Sequence, residues 1–109
     1  MYMHAYEKKL VTRIATELRR RFGKQIVRLC VFGSRARGDH GPESDFDILV
    51  VVDGKTPEIE HAIMSVFVDE EEGYDIMLTP VIKDRKSFDL EKAHNSPFYQ
   101  NIEKEGIPL

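Results

Sequence analysis

The stretch VFGSRARGDHGPESDFDILVVV, residues 31–52, decides how the rest of the chain is read. An apolar run ends at Gly33-Ser34, a loop with two arginines and several acids follows, and a second run of Ile and Val begins behind Asp45-Phe46-Asp47. Neighbouring residues i and i+2 of a strand point the same way, so Asp45 and Asp47 share a face while Phe46 and Ile48 turn into a core. Two carboxylates this close repel unless a cation or a proton intervenes. A rigid, oxygen-only pair of this kind suits Mg²⁺, which takes a few carboxylates and completes its shell with water and substrate phosphates.

The other end of the stretch supplies the anion side. Gly33 lets the backbone approach a ligand closely, and Ser34 offers a hydroxyl, an N–H and the start of a short helical turn through Ala36. Arg35 and Arg37 add positive charge where polyphosphate would lie. Taken singly, each feature is ordinary: a Gly-Ser turn is usually only a turn, and a lone D-x-D is usually two solvated acids. Together, metal carboxylates facing a phosphate-holding turn form the arrangement that phosphoryl or nucleotidyl transfer needs. No Walker A sequence is present, which removes a P-loop reading. Of the four histidines, only His40 lies in the loop facing the supposed phosphates.

Working outward, Leu10, Ile14, Leu18 and Phe22 recur every four residues, predicting an amphipathic helix over residues 4–22 that ends at Gly23. Arg19–Arg21 read as its solvated, dipole-complementing end. Residues 26–32 and 46–53 read as buried strands. Thr56 as N-cap and Pro57 at the first helical position open a helix over 57–71, whose acidic end, residues 69–72, reads as solvated. Alternation over residues 74–80 predicts a third strand, with Tyr74, Ile76 and Leu78 on one side and Asp75, Met77 and Thr79 on the other. Asp75 thereby becomes a candidate third metal ligand, provided its strand neighbours the one carrying Asp45 and Asp47. A weaker helix over 83–92 and a final one opened by Asn95-Ser96-Pro97 complete an α/β chain with a small sheet.

The bulk properties bound the rest. A chain of 109 residues has room for one core, and hence one domain over residues 1–109. A net charge of -3 and a pI near 5.8 argue against broad nucleic-acid binding. The single cysteine, Cys30, sits in an apolar run and reads as a small buried hydrophobe. No run is long enough to span a membrane, and the N-terminus lacks a signal peptide's apolar core, so the default setting is cytoplasmic.

Gly33-Ser34, ten intervening residues and Asp45-Phe46-Asp47 resemble the G-S-x10-D-x-D signature of the DNA polymerase β-like nucleotidyltransferase superfamily. GSRARG…SDFDILV and the ending SPFYQNIEKEGIPL are similar to its minimal nucleotidyltransferases, stand-alone domains of about this length. The resemblance implies the α/β polymerase β-like fold, a short mixed sheet packed by helices. It implies transfer of AMP from ATP to an acceptor hydroxyl, with release of pyrophosphate. Asp45 and Asp47 would bind two Mg²⁺ ions, and Asp75 would complete the acceptor-side metal. Gly33 and Ser34 would hold the β/γ-phosphates, and Arg35 and Arg37 stand where relatives have polar or basic residues. It further implies a partner: such proteins commonly act as antitoxins to HEPN-domain RNase toxins, which they are thought to neutralise by adenylylating a tyrosine. A non-catalytic antitoxin that masks its toxin sterically, and a nucleotidyltransferase with another acceptor (its own Tyr99 included), are the alternative expectations.

Overall fold

The computed structural model describes residues 3–38 and 45–109, and His40 lies outside them. α1 (Ala5–Phe22) leads through a short 3₁₀ turn into β1 (Ile26–Phe32), followed by the single turn α2 (Ser34–Arg37). β2 (Phe46–Val52), α3 (Pro57–Glu71) and β3 (Leu78–Asp84) come next, and α4 (Arg85–Ala93), α5 (Pro97–Glu105) and β4 (Ile107–Pro108) close the order. The four strands form one mixed sheet in the order β3-β2-β1-β4. β1 runs antiparallel to β2 and β4, whereas β2 and β3 are parallel. A parallel pair needs a crossover connection, and α3 supplies it.

Helices cover both faces, which explains the unbroken apolar run of β2. Phe46, Ile48, Val50 and Val52 pack with Leu29 and Val31 beneath Leu10, Ile14 and Leu18 of α1 and Ile63, Val66 and Phe67 of α3. Leu49 and Val51 join Cys30, Phe88 of α4 and Ile102 of α5 on the opposite face. Alternation therefore puts Asp47 on the α4/α5 side, at the mouth of the sheet. Cys30 is buried as expected, and burial raises its thiol pKa. No helix among the described residues is long and apolar enough to cross a membrane.

The predicted helix boundaries hold closely. Thr56 Oγ1 accepts the Ile59 N–H at 3.1 Å, and Pro57 opens α3. Ser96 caps α5 through the Tyr99 N–H, also at 3.1 Å. The third strand does not hold: it runs over Leu78–Asp84 rather than residues 74–80. The reason is Pro80, which reads as a strand end but sits on the sheet's edge strand, where a missing N–H is tolerated. Tyr74 and Ile76 still pack against the larger core, so their alternation reports burial without a ladder. The two-residue β4 went unforeseen; it follows Gly106 and pairs with Cys30 and Val31.

One buried ion pair ties the helical layer to the mouth of the sheet. Glu7 sits on the apolar stripe of α1 at 2% exposure, and Arg35 of α2 is 8% exposed. Their Oε2 and Nη1 atoms are 3.1 Å apart. Glu7 Oε1 accepts the His4 N–H at 2.8 Å, so both carboxylate oxygens are engaged. The Arg35 guanidinium lies 4.3 Å from the centre of the Phe46 ring, immediately before Asp47. Removing one partner strands a buried charge, so Arg35→Ala should cost about 3–5 kcal/mol. The apolar double replacement Glu7→Leu/Arg35→Met should cost less than Arg35→Ala, as read from thermal and urea unfolding.

Candidate active site

The register of β1 on β2 assembles the site. Phe32, the last residue of β1, lies opposite Asp47, and Asp47 lies opposite Thr79 of β3. A row Phe32–Asp47–Thr79 thus crosses three strands at the mouth of the sheet. The chain leaves Phe32 through Gly33 at φ 76° and turns at once into α2. There the Arg37 N–H donates to the Gly33 carbonyl at 3.1 Å and the Gly38 N–H to that of Ser34 at 2.9 Å. Gly38, at φ 81°, ends the turn in the left-handed conformation. The first amides of a helical turn have no acceptor within it.

Gly33 shows how close the two halves come. A Cβ placed on it would collide with Asp47 Oδ2. Only glycine supplies both the positive φ and that room. Gly33, Ser34 and Asp47 are therefore held together by geometry.

Asp45 is exposed and Asp47 half-buried. The Asp47 carboxyl pKa is raised, first by burial and then by the negative charge of Asp45, with Arg37 acting in the opposite sense. Asp45 is held from β3: the Thr79 hydroxyl donates to its Oδ2 at 3.1 Å. Arg37 is exposed at the rim, 3.0 Å from Glu105 at the end of α5. Arg35, by contrast, is the buried anchor beneath the turn.

Asp75 lies in the exposed segment ahead of β3. That segment runs beside Asp45, because the Phe46 N–H donates to the Met77 carbonyl at 3.0 Å. Among the described residues, no three His, Cys, Asp or Glu side chains converge on a point that could hold a metal. The donors present are nevertheless all oxygen, with two adjacent carboxylates, Asp47 partly buried and Asp45 exposed. Those are hard ligands of the kind Mg²⁺ takes, with water and phosphate oxygens filling the remaining positions.

Sequence reasoning missed Glu7 and undervalued Thr79. Glu7 carried a signal, since a carboxylate three residues before Leu10 falls on the apolar stripe and demands a buried partner. Thr79 had been placed on the same side as Asp75, but the misplaced strand boundary concealed its register.

A model of the family described as "Nucleotidyltransferase domain" matches residues 11–107. Two relatives from Methanocaldococcus jannaschii are similar along most of their length. "Putative protein adenylyltransferase MJ0604" is 27% identical over 103 residues, 94% of this chain and 97% of that protein. "Putative protein adenylyltransferase MJ0141" is 31% identical over 86 residues, 78% and 80% of the two chains. Among solved structures, "a putative nucleotidyltransferase from Sulfolobus solfataricus" superposes with a TM-score of 0.57 at 25% identity, covering 92% of this chain and 76% of that one. A chain from a toxin-antitoxin structure with AMP-PNP shares the fold, with a TM-score of 0.54 at 18% identity over 88% and 69% of the two chains.

Two substitutions test the geometry. Gly33→Ala should cost about 1–3 kcal/mol through its φ alone and should also displace the Asp47 carboxylate. Melting curves would register the first effect and activity the second. For Asp47, a folded-state pKa raised above the unfolded value means that the ionised group opposes folding once the pH exceeds that raised pKa. Asp47→Asn should therefore melt higher than the native protein at pH 7 in EDTA. The gap should close as the pH falls below the ordinary carboxylate value of 3.8, where the carboxyl is protonated in folded and unfolded chains alike.

Proposed function

The chain belongs to the nucleotidyltransferase domain family, and from that premise we propose that it is a protein adenylyltransferase and antitoxin. It transfers AMP from ATP, with two Mg²⁺ ions, to a tyrosine hydroxyl of a HEPN-type RNase toxin in the cytoplasm. The observation that carries this reading is the contact of two halves. β1 delivers the Gly33-Ser34 turn and β2 delivers Asp45 and Asp47, so closely that a side chain on Gly33 would strike Asp47.

Asp45 and Asp47 would hold both metal ions, and Asp75, on the segment ahead of β3 whose Met77 carbonyl bonds Phe46, would complete the acceptor-side one and orient the hydroxyl. Bound there, the metal supplies charge neutralisation at the reacting phosphate. Gly33, Ser34 and the first amides of α2 hold the β- and γ-phosphates, with Arg37 adding positive charge at the rim. Arg35 serves the same phosphates by holding the turn against α1. The tyrosine oxygen would bond to the α-phosphorus as the bond from that phosphorus to the α–β bridging oxygen breaks, pyrophosphate would leave with that oxygen, and the hydroxyl proton would pass to the Asp75 carboxylate. The names of the Methanocaldococcus relatives support a protein as acceptor, and the motif and tail of the sequence support the toxin as its identity.

The test uses ATP labelled at the α-phosphate together with a HEPN-type RNase toxin as the candidate acceptor. Label should appear on a toxin tyrosine in native incubations and disappear with Asp45→Ala or Asp47→Ala. An unlabelled toxin would refute the proposed acceptor. A double mutant Asp45→Ala/Asp47→Ala that still neutralises the toxin in cells would show that masking, rather than transfer, is the mechanism.

A further inference from the structure

Asp47 is fixed by Gly33 on one side and by its place in the β2 ladder. Asp45 has neither support: it is exposed and precedes the first residue of the strand. A carboxylate in that position would ordinarily sample several rotamers, and a metal site built on it would lose affinity to that freedom. The one side chain of β3 that reaches it is Thr79, in register with Asp47 and donating its hydroxyl to Asp45 Oδ2 at 3.1 Å. We propose that Thr79 is a positioning residue for the metal centre. Its hydroxyl locks Asp45 in the rotamer that turns Oδ1 to the ion.

The chemistry follows from what the hydrogen bond occupies. Once Oδ2 accepts from Thr79, one lone pair of that oxygen is taken, and bidentate binding by Asp45 becomes unfavourable. Asp45 would then suit monodentate contact through Oδ1, as a small octahedral ion takes, more than the bidentate embrace that larger Ca²⁺ tolerates. Outer-shell partners of this type commonly govern metal affinity as strongly as a ligand's own placement. Thr79 is exposed, so replacing it removes the hydroxyl without opening a core cavity.

This inference rests on the reading of Asp45 and Asp47 as metal ligands, and the experiment separates the two. Mn²⁺ is titrated into the full-length protein without nucleotide, and the free ion is followed by its EPR signal. Native protein should bind, Asp45→Asn should not, and Thr79→Val should bind about tenfold more weakly. Thr79→Ser, which keeps the hydroxyl, should return towards the native value, and all variants should melt close to the native protein in EDTA. Ca²⁺ should compete with Mn²⁺ better in Thr79→Val than in native protein. Equal Mn²⁺ affinity in native and Thr79→Val, or a Thr79→Ser variant as weak as Thr79→Val, overturns the positioning role alone. A native protein that takes up no Mn²⁺ removes the metal reading itself.

Discussion

Everything at the mouth of this sheet depends on the missing side chain of Gly33. β1 and β2 are antiparallel neighbours, so Phe32 faces Asp47, and the next residue must turn away over the Asp47 carboxylate. A methyl group there would occupy the space of Asp47 Oδ2. The Gly33-Ser34 turn and the acidic pair, separated by ten residues of sequence, thus become one surface through a single steric permission. The apolar run of β2 fixes the other coordinate. Ile48, Leu49, Val50 and Val51 are buried on alternating faces, so the strand cannot slip without exposing one set of them.

The turn itself is too short to be rigid unaided. α2 is four residues long and makes only the bonds of a single turn. Its stiffness is borrowed from α1 through Arg35, which Glu7 neutralises and Phe46 receives on its ring face. A buried ion pair seldom adds much stability over an apolar equivalent, but it does demand one arrangement. That arrangement places α2, and hence Gly33 and Ser34, at a fixed height above the carboxylates. On the opposite face of the sheet, Phe32 meets Phe98 edge to face with centroids 5.6 Å apart.

The meeting of Gly33-Ser34 with the acidic pair was legible because its elements are local. Glycine, serine and the D-x-D pair lie within one strand-turn-strand unit, and the alternation of Phe46 and Ile48 against Asp45 and Asp47 can be read from period alone. The capped helices were legible for the same reason: Thr56-Pro57 and Ser96-Pro97 are self-contained signals. What remained hidden was tertiary. Pro80 reads as a terminator unless its strand is known to lie at an edge, and that misreading shifted β3 by four residues and obscured the register of Thr79. Arg35 reads as a cation for polyphosphate because its partner lies on a helix 28 residues earlier in the chain. No short-range pattern joins Glu7 to Arg35; only packing does.

The two halves of the proposed reaction differ in how the fold treats them. On the donor side, Gly33 and Asp47 are partly or wholly enclosed and mutually fixed. On the acceptor side, Asp45, Asp75, Met77 and Thr79 are all exposed, Met77 to 63%. An activated α-phosphate beside open solvent would meet water far more often than a tyrosine, so transfer requires something to displace that water. An apolar methionine at the rim is a suitable contact for a docking surface, and its backbone carbonyl is already bonded to Phe46. A protein acceptor that covers Met77 would both exclude water and bring its hydroxyl to Asp45 and Asp75. On that argument, a macromolecular acceptor of the proposed reaction would itself build the second wall of the site.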